Sequence, residues 1–369
     1  MTTRDAAIRT SRPAAAPGGI RLGERLRQLR VGAGLTQSEL AGDRFSKEYV
    51  SQIERGKTRP TRETIEWLAA RLGVDPGFLA NGVATDERGR LESALARAEA
   101  LLEADSDQEA YAEYELLVPS AKATGLPELQ VRALVGAGRA TLRLGRTRAA
   151  LEMMNEARTI SEGSGFSDVE RAEVIYLVGV CRYQLNSNQS AIGLFNEALA
   201  LAERSGMPSD KLRSNILSWR SRCWQRQRDF EAAREDVERA LELAQDANDS
   251  RTIGAAYFQA SLVAEREGHW VLARTYAEQA RVSYEQLSDR IAVGRLTNNL
   301  GGLNFLLGKT DEAESVFRAA ETSFDELGSA SHRAAVWVAK GDLATKRGDD
   351  RLAAQLFRSA AEALQDFRF

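Results

Sequence analysis

The chain has 369 residues, of which 43% are hydrophobic and 28% charged, and its net charge at pH 7 is −3. That is enough chain for more than one domain and a large buried core, so disulfide staples are unnecessary. No apolar run reaches the roughly 18 residues of a membrane span, the N-terminal stretch lacks the apolar block of a signal peptide, and Cys181 and Cys223 sit in apolar helical context without CxxC spacing, which predicts packed, reduced thiols in a cytoplasmic protein.

Residues 1–19 are rich in Pro, Ala, Gly and Thr without periodicity, which predicts a flexible tail. Leu22, Leu26 and Leu29 recur at helical spacing and predict an amphipathic helix ending near Gly32 and Gly34. Thr36-Gln37-Ser38-Glu39 is a capping box that opens a short second helix reaching about Ala41. Gly42, Asp43 and Arg44 then turn the chain, and Ser46 caps a third helix, with Phe45 before it expected to staple against Val50. Val50 and Ile53 point inward, while Lys47, Glu48, Ser51 and Gln52 are left on the other side. Gly56 stops this helix, and Lys57, Arg59 and Arg62 follow at once. Ile65, Leu68, Ala69 and Leu72 define a fourth helix, and Phe78 and Leu79 close the small core after Pro76 and Gly77. Five short helices therefore make a domain over 20–80, followed by a linker at 81–90.

Charge is unevenly placed along the chain. Residues 1–62 hold thirteen Arg and Lys against six acids, +7, which leaves −10 for the remainder. A basic head on an acidic body assigns polyanion binding to the head. The third helix presents polar groups suited to base edges beside cations suited to phosphates, and so reads as a DNA-reading helix.

In order, LGERLRQLR, LTQSELA, YVSQIERGKTRP and LAARLGV resemble the Cro/CI-like, or XRE-type, helix-turn-helix domain of bacterial and phage regulators. The turn Ala41–Phe45 is shorter than that family's usual form, which bears on the tilt of the third helix. The resemblance implies double-stranded DNA as partner. By it, Gln37 braces a phosphate and the third helix, and Ser46, Lys47, Glu48 and Ser51 face base edges; Gln52, on the same polar side of the helix, is counted with them as DNA-binding. Tyr49 reaches a phosphate or a thymine methyl, and Arg55, Lys57 and Arg59 contact the backbone. Lys donating to guanine and Glu accepting from cytosine agree with those placements. Glu48 equally suits a pairing with Lys47, Gln52 or Arg44 that never meets DNA.

From about Asp86 onward the chain repeats itself. Alanines recur at 157, 198, 240, 280, 320 and 360, spaced by 41, 42, 40, 40 and 40 residues. Seven positions before each lies another alanine, and nineteen before lies Gly or Ser: Gly138, Gly179, Ser221, Ser261, Gly301 and Gly341. Phe195, Phe317 and Phe357 stand three before the seam as large knobs, and Gly145, Gly268, Gly308 and Gly348 mark the turn between paired helices. Helix pairs that approach closely at small residues and stack on the next pair build one continuous core. This resembles tetratricopeptide repeats, with a period near 40 rather than 34. Six repeats, and a weaker seventh at Ala110, Tyr114 and Leu117, fill 91–369. The expected fold class is all-α: a five-helix head followed by an α-solenoid.

On the first helix of each pair, the columns fourteen, eighteen and twenty-five before the seam share a face and bring in Arg143, Arg226 and Arg266, then Arg139 and Arg222, then Arg132 and Arg295. An arginine-lined groove in an acidic body suits a peptide carboxylate or a small anionic ligand such as a nucleotide, gripped by Arg139, Arg143, Arg222, Arg226 and Arg266, with Asn298 holding a peptide backbone. The same arginines suit a solvated face paired with Glu, or a protein-partner surface. Heads of this kind joined to such repeats resemble the peptide-sensing regulators of Gram-positive bacteria, which implies a homodimer whose repeats alter the geometry of its DNA-binding heads. A different class of function, an interaction scaffold that docks a protein partner, uses the same parts. With two histidines, His269 and His332, in different repeats, and no Walker or GxGxxG loop after a strand, no catalytic residue, metal or cofactor is expected.

Overall fold

A computed structural model describes residues 22–82 and 85–365, so the tail expected over 1–19 lies outside the described residues. Nineteen helices and no strand occur among them, and the chain divides after Phe166 into two compact units.

The first unit opens with α1 (Leu22–Gly32), α2 (Gln37–Ala41), α3 (Lys47–Glu54), α4 (Arg62–Leu72) and α5 (Pro76–Asn81). Each of α2 to α5 starts where a side chain satisfies a backbone donor that the helix leaves unpaired. Thr36 and Glu39 form the reciprocal capping box, Ser46 accepts from the Tyr49 N–H, Thr61 from the Thr64 N–H and Asp75 from the Phe78 N–H. Leu26, Leu40, Val50, Ile53, Leu68 and Leu79 form one core, none exposed beyond 1%. Phe45 packs its ring on Tyr49, 5.3 Å between centroids, and edge-on to Trp67 at 5.1 Å. α1 and α3 approach closely at Gly23, where an added Cβ would stand 2.3 Å from the Ile53 carbonyl oxygen.

Four further helices complete this unit: α6 (Thr85–Glu103), α7 (Asp107–Thr124), α8 (Pro127–Arg143) and α9 (Thr147–Ser161). Because α6 begins at Thr85, the linker expected over 81–90 is in large part helix. Leu91, Leu95, Ala98 and Leu102 recur on one buried face of α6 against α7 and α8, and the helix that carries them runs back to Thr85.

The second unit is five helix pairs: α10 (Asp168–Gln184) with α11 (Asn188–Arg204), α12 (Asp210–Gln227) with α13 (Phe230–Ala247), α14 (Ser250–Arg266) with α15 (Trp270–Gln286), α16 (Arg290–Leu306) with α17 (Thr310–Glu326), and α18 (Ala330–Lys346) with α19 (Asp350–Gln365). Both alanine columns are buried in every pair, at 4% exposure or less. The glycine column faces the knob of its partner helix. A Cβ at Gly138 would stand 2.5 Å from Met154, at Gly179 2.7 Å from Phe195, at Gly301 2.5 Å from Phe317, and at Gly341 2.6 Å from Phe357. Where the knob shrinks to Val237 or Ala277, the column holds Ser221 or Ser261, both fully buried. The column thus holds glycine where the knob is Met or Phe and the larger serine where the knob is Val or Ala, in the direction that close packing demands.

The turn column adopts left-handed backbone throughout: Gly145, Gly268, Gly308 and Gly348 have φ near +80°, and Asn186 (φ 60°) and Arg228 (φ 63°) fill the same column. Cys181 and Cys223 are buried free thiols whose pKa values burial pushes up to about 11 and about 12.

Candidate nucleic-acid interface and ligand cavity

Helix α3 is held by a charged tie beneath it. The Arg30 guanidinium on α1 donates to both carboxylate oxygens of Glu54, at 2.6 and 3.2 Å, and to the Leu35 carbonyl at 2.8 Å. Gln37 on α2 donates its amide to Glu54 at 2.7 Å. Only 11% of the Arg30 side chain and 4% of the Glu54 side chain are exposed. Burial alone would raise the Glu54 pKa, but the hydrogen bonds from Arg30 and Gln37 hold it below its ordinary value. One carboxylate thereby fixes three helices against each other.

With Val50 and Ile53 buried beneath, α3 leaves Lys47, Glu48 and Gln52 exposed, with Ser51 and Tyr49 half-buried beside them. Ser46 is exposed and its oxygen accepts the capping bond. Neither Lys47 nor Glu48 makes an ion pair among the described residues. Gln52 accepts from the Thr58 hydroxyl at 2.9 Å, which ties the basic turn back to the helix. On that turn Arg55, Lys57 and Arg59 are exposed. Other cations of the head have structural tasks: Arg25 donates to the Leu79 and Ala80 carbonyls at the end of α5, and Arg71 lies over Trp67 and donates to the Glu39 carbonyl. Exposed polar groups on a rigidly seated helix are therefore followed at once, on the turn after it, by exposed phosphate-competent cations.

In the second unit, Arg222, Arg226 and Arg266 line one cavity of about 640 Å³, together with Arg228, Arg295, Gln225 and the rings of Tyr183, Phe230 and Phe258. No lining residue is a carboxylate. Arg226 stacks on Tyr183, 3.6 Å from its centroid, and donates to the Tyr183 carbonyl. Arg222 lies over Trp219 at 4.2 Å and donates to Gln259 at 2.8 Å, and Arg295 lies over Phe258 at 5.5 Å. Burial pushes the Arg222 pKa below its ordinary value, and the neighbouring Arg295 pushes the same way.

The other three expected ligand residues do not join this cavity. Arg143, in the first unit, is taken up by Asp105 and Asp107 at 2.8 and 3.2 Å and by the Leu102 carbonyl. Arg139 is exposed on the same helix of the first unit. Asn298 is half-buried on α16, its Oδ1 buried without a hydrogen-bond partner, and it is not among the lining residues.

Residues 21–81 match the family model of a helix-turn-helix domain. Over 54 residues the chain is 44% identical to y4dJ, an uncharacterized HTH-type transcriptional regulator of Sinorhizobium fredii, covering 14% of this chain and 70% of that protein. The chain belongs to the helix-turn-helix family. It is also 42% identical over 65 residues to the HTH-type transcriptional regulator DdrOP3 of Deinococcus deserti, which is 17% of this chain and 50% of that relative, so the chain spans only half of the latter's length. Among solved structures it resembles PlcR of Bacillus thuringiensis in complex with the peptide PapR7 and DNA, at 16% identity and a TM-score of 0.50, over 73% of this chain and 96% of that one. The apo form of RapI gives a TM-score of 0.59 at 14% identity, over 75% of this chain and 98% of that one. At such identities the likeness shows the helical-repeat fold. Within the helix-turn-helix domain, the sequence reading missed Arg30 and Glu54, which lie 24 residues apart with no local pattern joining them.

Proposed function

We propose that this protein is a sequence-specific, DNA-binding transcriptional regulator, working as a homodimer in the cytoplasm, whose repeats bind a ligand that sets its DNA affinity. The observation that carries this is α3 and the turn after it: Lys47, Glu48, Ser51 and Gln52 on a helix seated by the Arg30–Glu54–Gln37 tie, followed at once by the exposed Arg55, Lys57 and Arg59. The regulator names of the relatives support it, and so does the fold shared with a protein solved with peptide and DNA. One small head supplies few phosphate contacts, and two-fold symmetry doubles them. Genomic fragments selected by the full-length protein should share a motif of two half-sites. Recovery of fragments without a common motif contradicts sequence-specific reading.

A second reading, a scaffold that docks a protein partner on the repeats, draws on the exposed run Trp270, Val271 and Leu272 at the start of α15, 39%, 70% and 44% exposed. It predicts that replacing Val271 by Asp abolishes partner capture and leaves DNA binding unchanged.

A further inference from the structure

We infer that the cavity between α10, α12, α14 and α16 is a receptor for an oligophosphate, a ligand with two or more linked phosphoryl groups, either free or as the tail of a nucleotide. The inference deepens the regulatory reading and rests on it only for the ligand's effect on DNA.

Charge comes first. Five guanidinium groups, Arg222, Arg226, Arg228, Arg266 and Arg295, converge on about 640 Å³ with no carboxylate in the lining. Elsewhere in the same unit arginines are matched to acids, as Arg220 is to Asp236, Arg234 to Glu267 and Arg251 to Asp289. Among the described residues, none of the five cavity arginines makes an ion pair. Uncompensated cations of this density lie in a part of the chain that is acidic overall, so composition does not account for them.

Aromatic faces then take the place of acids in ordering the arginines. Tyr183, Trp219 and Phe258 cover the flat sides of Arg226, Arg222 and Arg295. Arg226 spends its Nη1 on the Tyr183 and Asn186 oxygens and Arg222 its Nε on Gln259, which leaves the other N–H groups of each, and those of Arg295, for the oxygens of a phosphoryl group. Of the lining rings, Tyr183 and Phe258 already carry guanidinium groups, which leaves Phe230 for a base against five cations for a phosphate chain. A peptide C-terminus brings a single negative charge, whereas each phosphoryl group brings about 1 to 2. Linked phosphoryl groups thus approach five cations in so small a volume, which a single terminal carboxylate does not. Gln225 adds an amide nitrogen that is buried without a protein partner.

Arg228 is the third observation. It occupies the turn column at φ 63°, where four of the six repeats have glycine. A β-carbon in that conformation is disfavoured, and the residue that bears it here is a cavity arginine.

Isothermal titration calorimetry on the full-length protein tests the inference, with sodium triphosphate, ATP and an acidic heptapeptide as separate probes. Triphosphate should bind, and Arg266→Gln and Arg295→Gln, at positions without ion-pair partners, should each weaken it roughly tenfold. ATP binding no tighter than triphosphate assigns recognition to the phosphate chain, and tighter ATP binding assigns it to a nucleotide. Arg228→Gly should weaken binding while raising Tm, a combination that a purely structural arginine does not give. Absence of heat with both phosphates, binding unchanged in all three variants, or binding of the acidic peptide alone overturns the inference. If triphosphate binds but leaves DNA affinity unchanged, the cavity assignment stands and the regulatory reading falls. If DNA affinity responds to another ligand while no phosphate binds, the reverse holds.

Discussion

At the scale of single residues, Glu54 decides whether α3 is held. Its carboxylate is almost wholly buried and serves Arg30 and Gln37 together, and removing one partner of a buried pair strands the other charge. Glu54→Ala should cost about 3 kcal/mol, a large part of the stability of so small a domain, read by denaturant unfolding of the full chain. Its folded pKa lies below the ordinary 4.5, so the stability it contributes is complete above pH 4.5 and is lost as pH falls through the lower folded value. The wild-type helix-turn-helix domain should therefore lose stability below pH 4.5 more steeply than Glu54→Gln. Equal acid profiles for the two would remove Glu54 from the account. Gly23 acts through sterics alone. A methyl there meets the Ile53 carbonyl, backbone that has nowhere to move, so Gly23→Ala should destabilise by about 1–3 kcal/mol and lower DNA affinity by displacing α3.

At the scale of helices, each repeat is held by the fit between one small residue and one knob. Gly301→Ala should be destabilising because Phe317 fills the space, and Phe317→Val should relieve it, so that the double variant is more stable than the two single losses predict. Strict additivity in thermal melts would mean that the column is not a packing contact. Most of this layer was legible in the sequence, because a contact that demands small residues at a fixed period writes itself as aligned columns of Ala157, Ala198 and their counterparts. So was α3, whose cap Ser46, inward Val50 and Ile53 and stop at Gly56 are all local signals. What was not legible joins distant positions. Arg226 meets Tyr183 43 residues away, across adjacent repeats, and Arg30 meets Glu54 across two turns. The cavity was half visible, since periodicity aligned Arg222, Arg226, Arg266 and Arg295. It gave no sign that Arg143 is neutralised by Asp105 and Asp107, or that Arg228 stands in a glycine column. The start of α6 was hidden because Thr85–Arg90 precedes the first buried leucine of its own face.

For the whole molecule, a repeat array makes up most of the chain, while the proposed regulation depends on α3 as the helix that reads DNA. Roles on that helix separate by what they touch. Phosphate contacts act on every sequence and release counterions, whereas base contacts act on some sequences only. The direct test is the salt dependence of binding by full-length protein, measured by fluorescence anisotropy on a genome-selected fragment and on a scrambled one. Replacing Lys57 and Arg59 by Gln should weaken both fragments alike and flatten the log–log salt slope by about 1 for each cation removed. Replacing Lys47 by Ala should reduce the preference for the selected fragment by roughly 1–3 kcal/mol, with much less effect on the scrambled one. Equal losses on both fragments for every variant, with an unchanged slope, would contradict the assignment of α3 as the DNA-reading element.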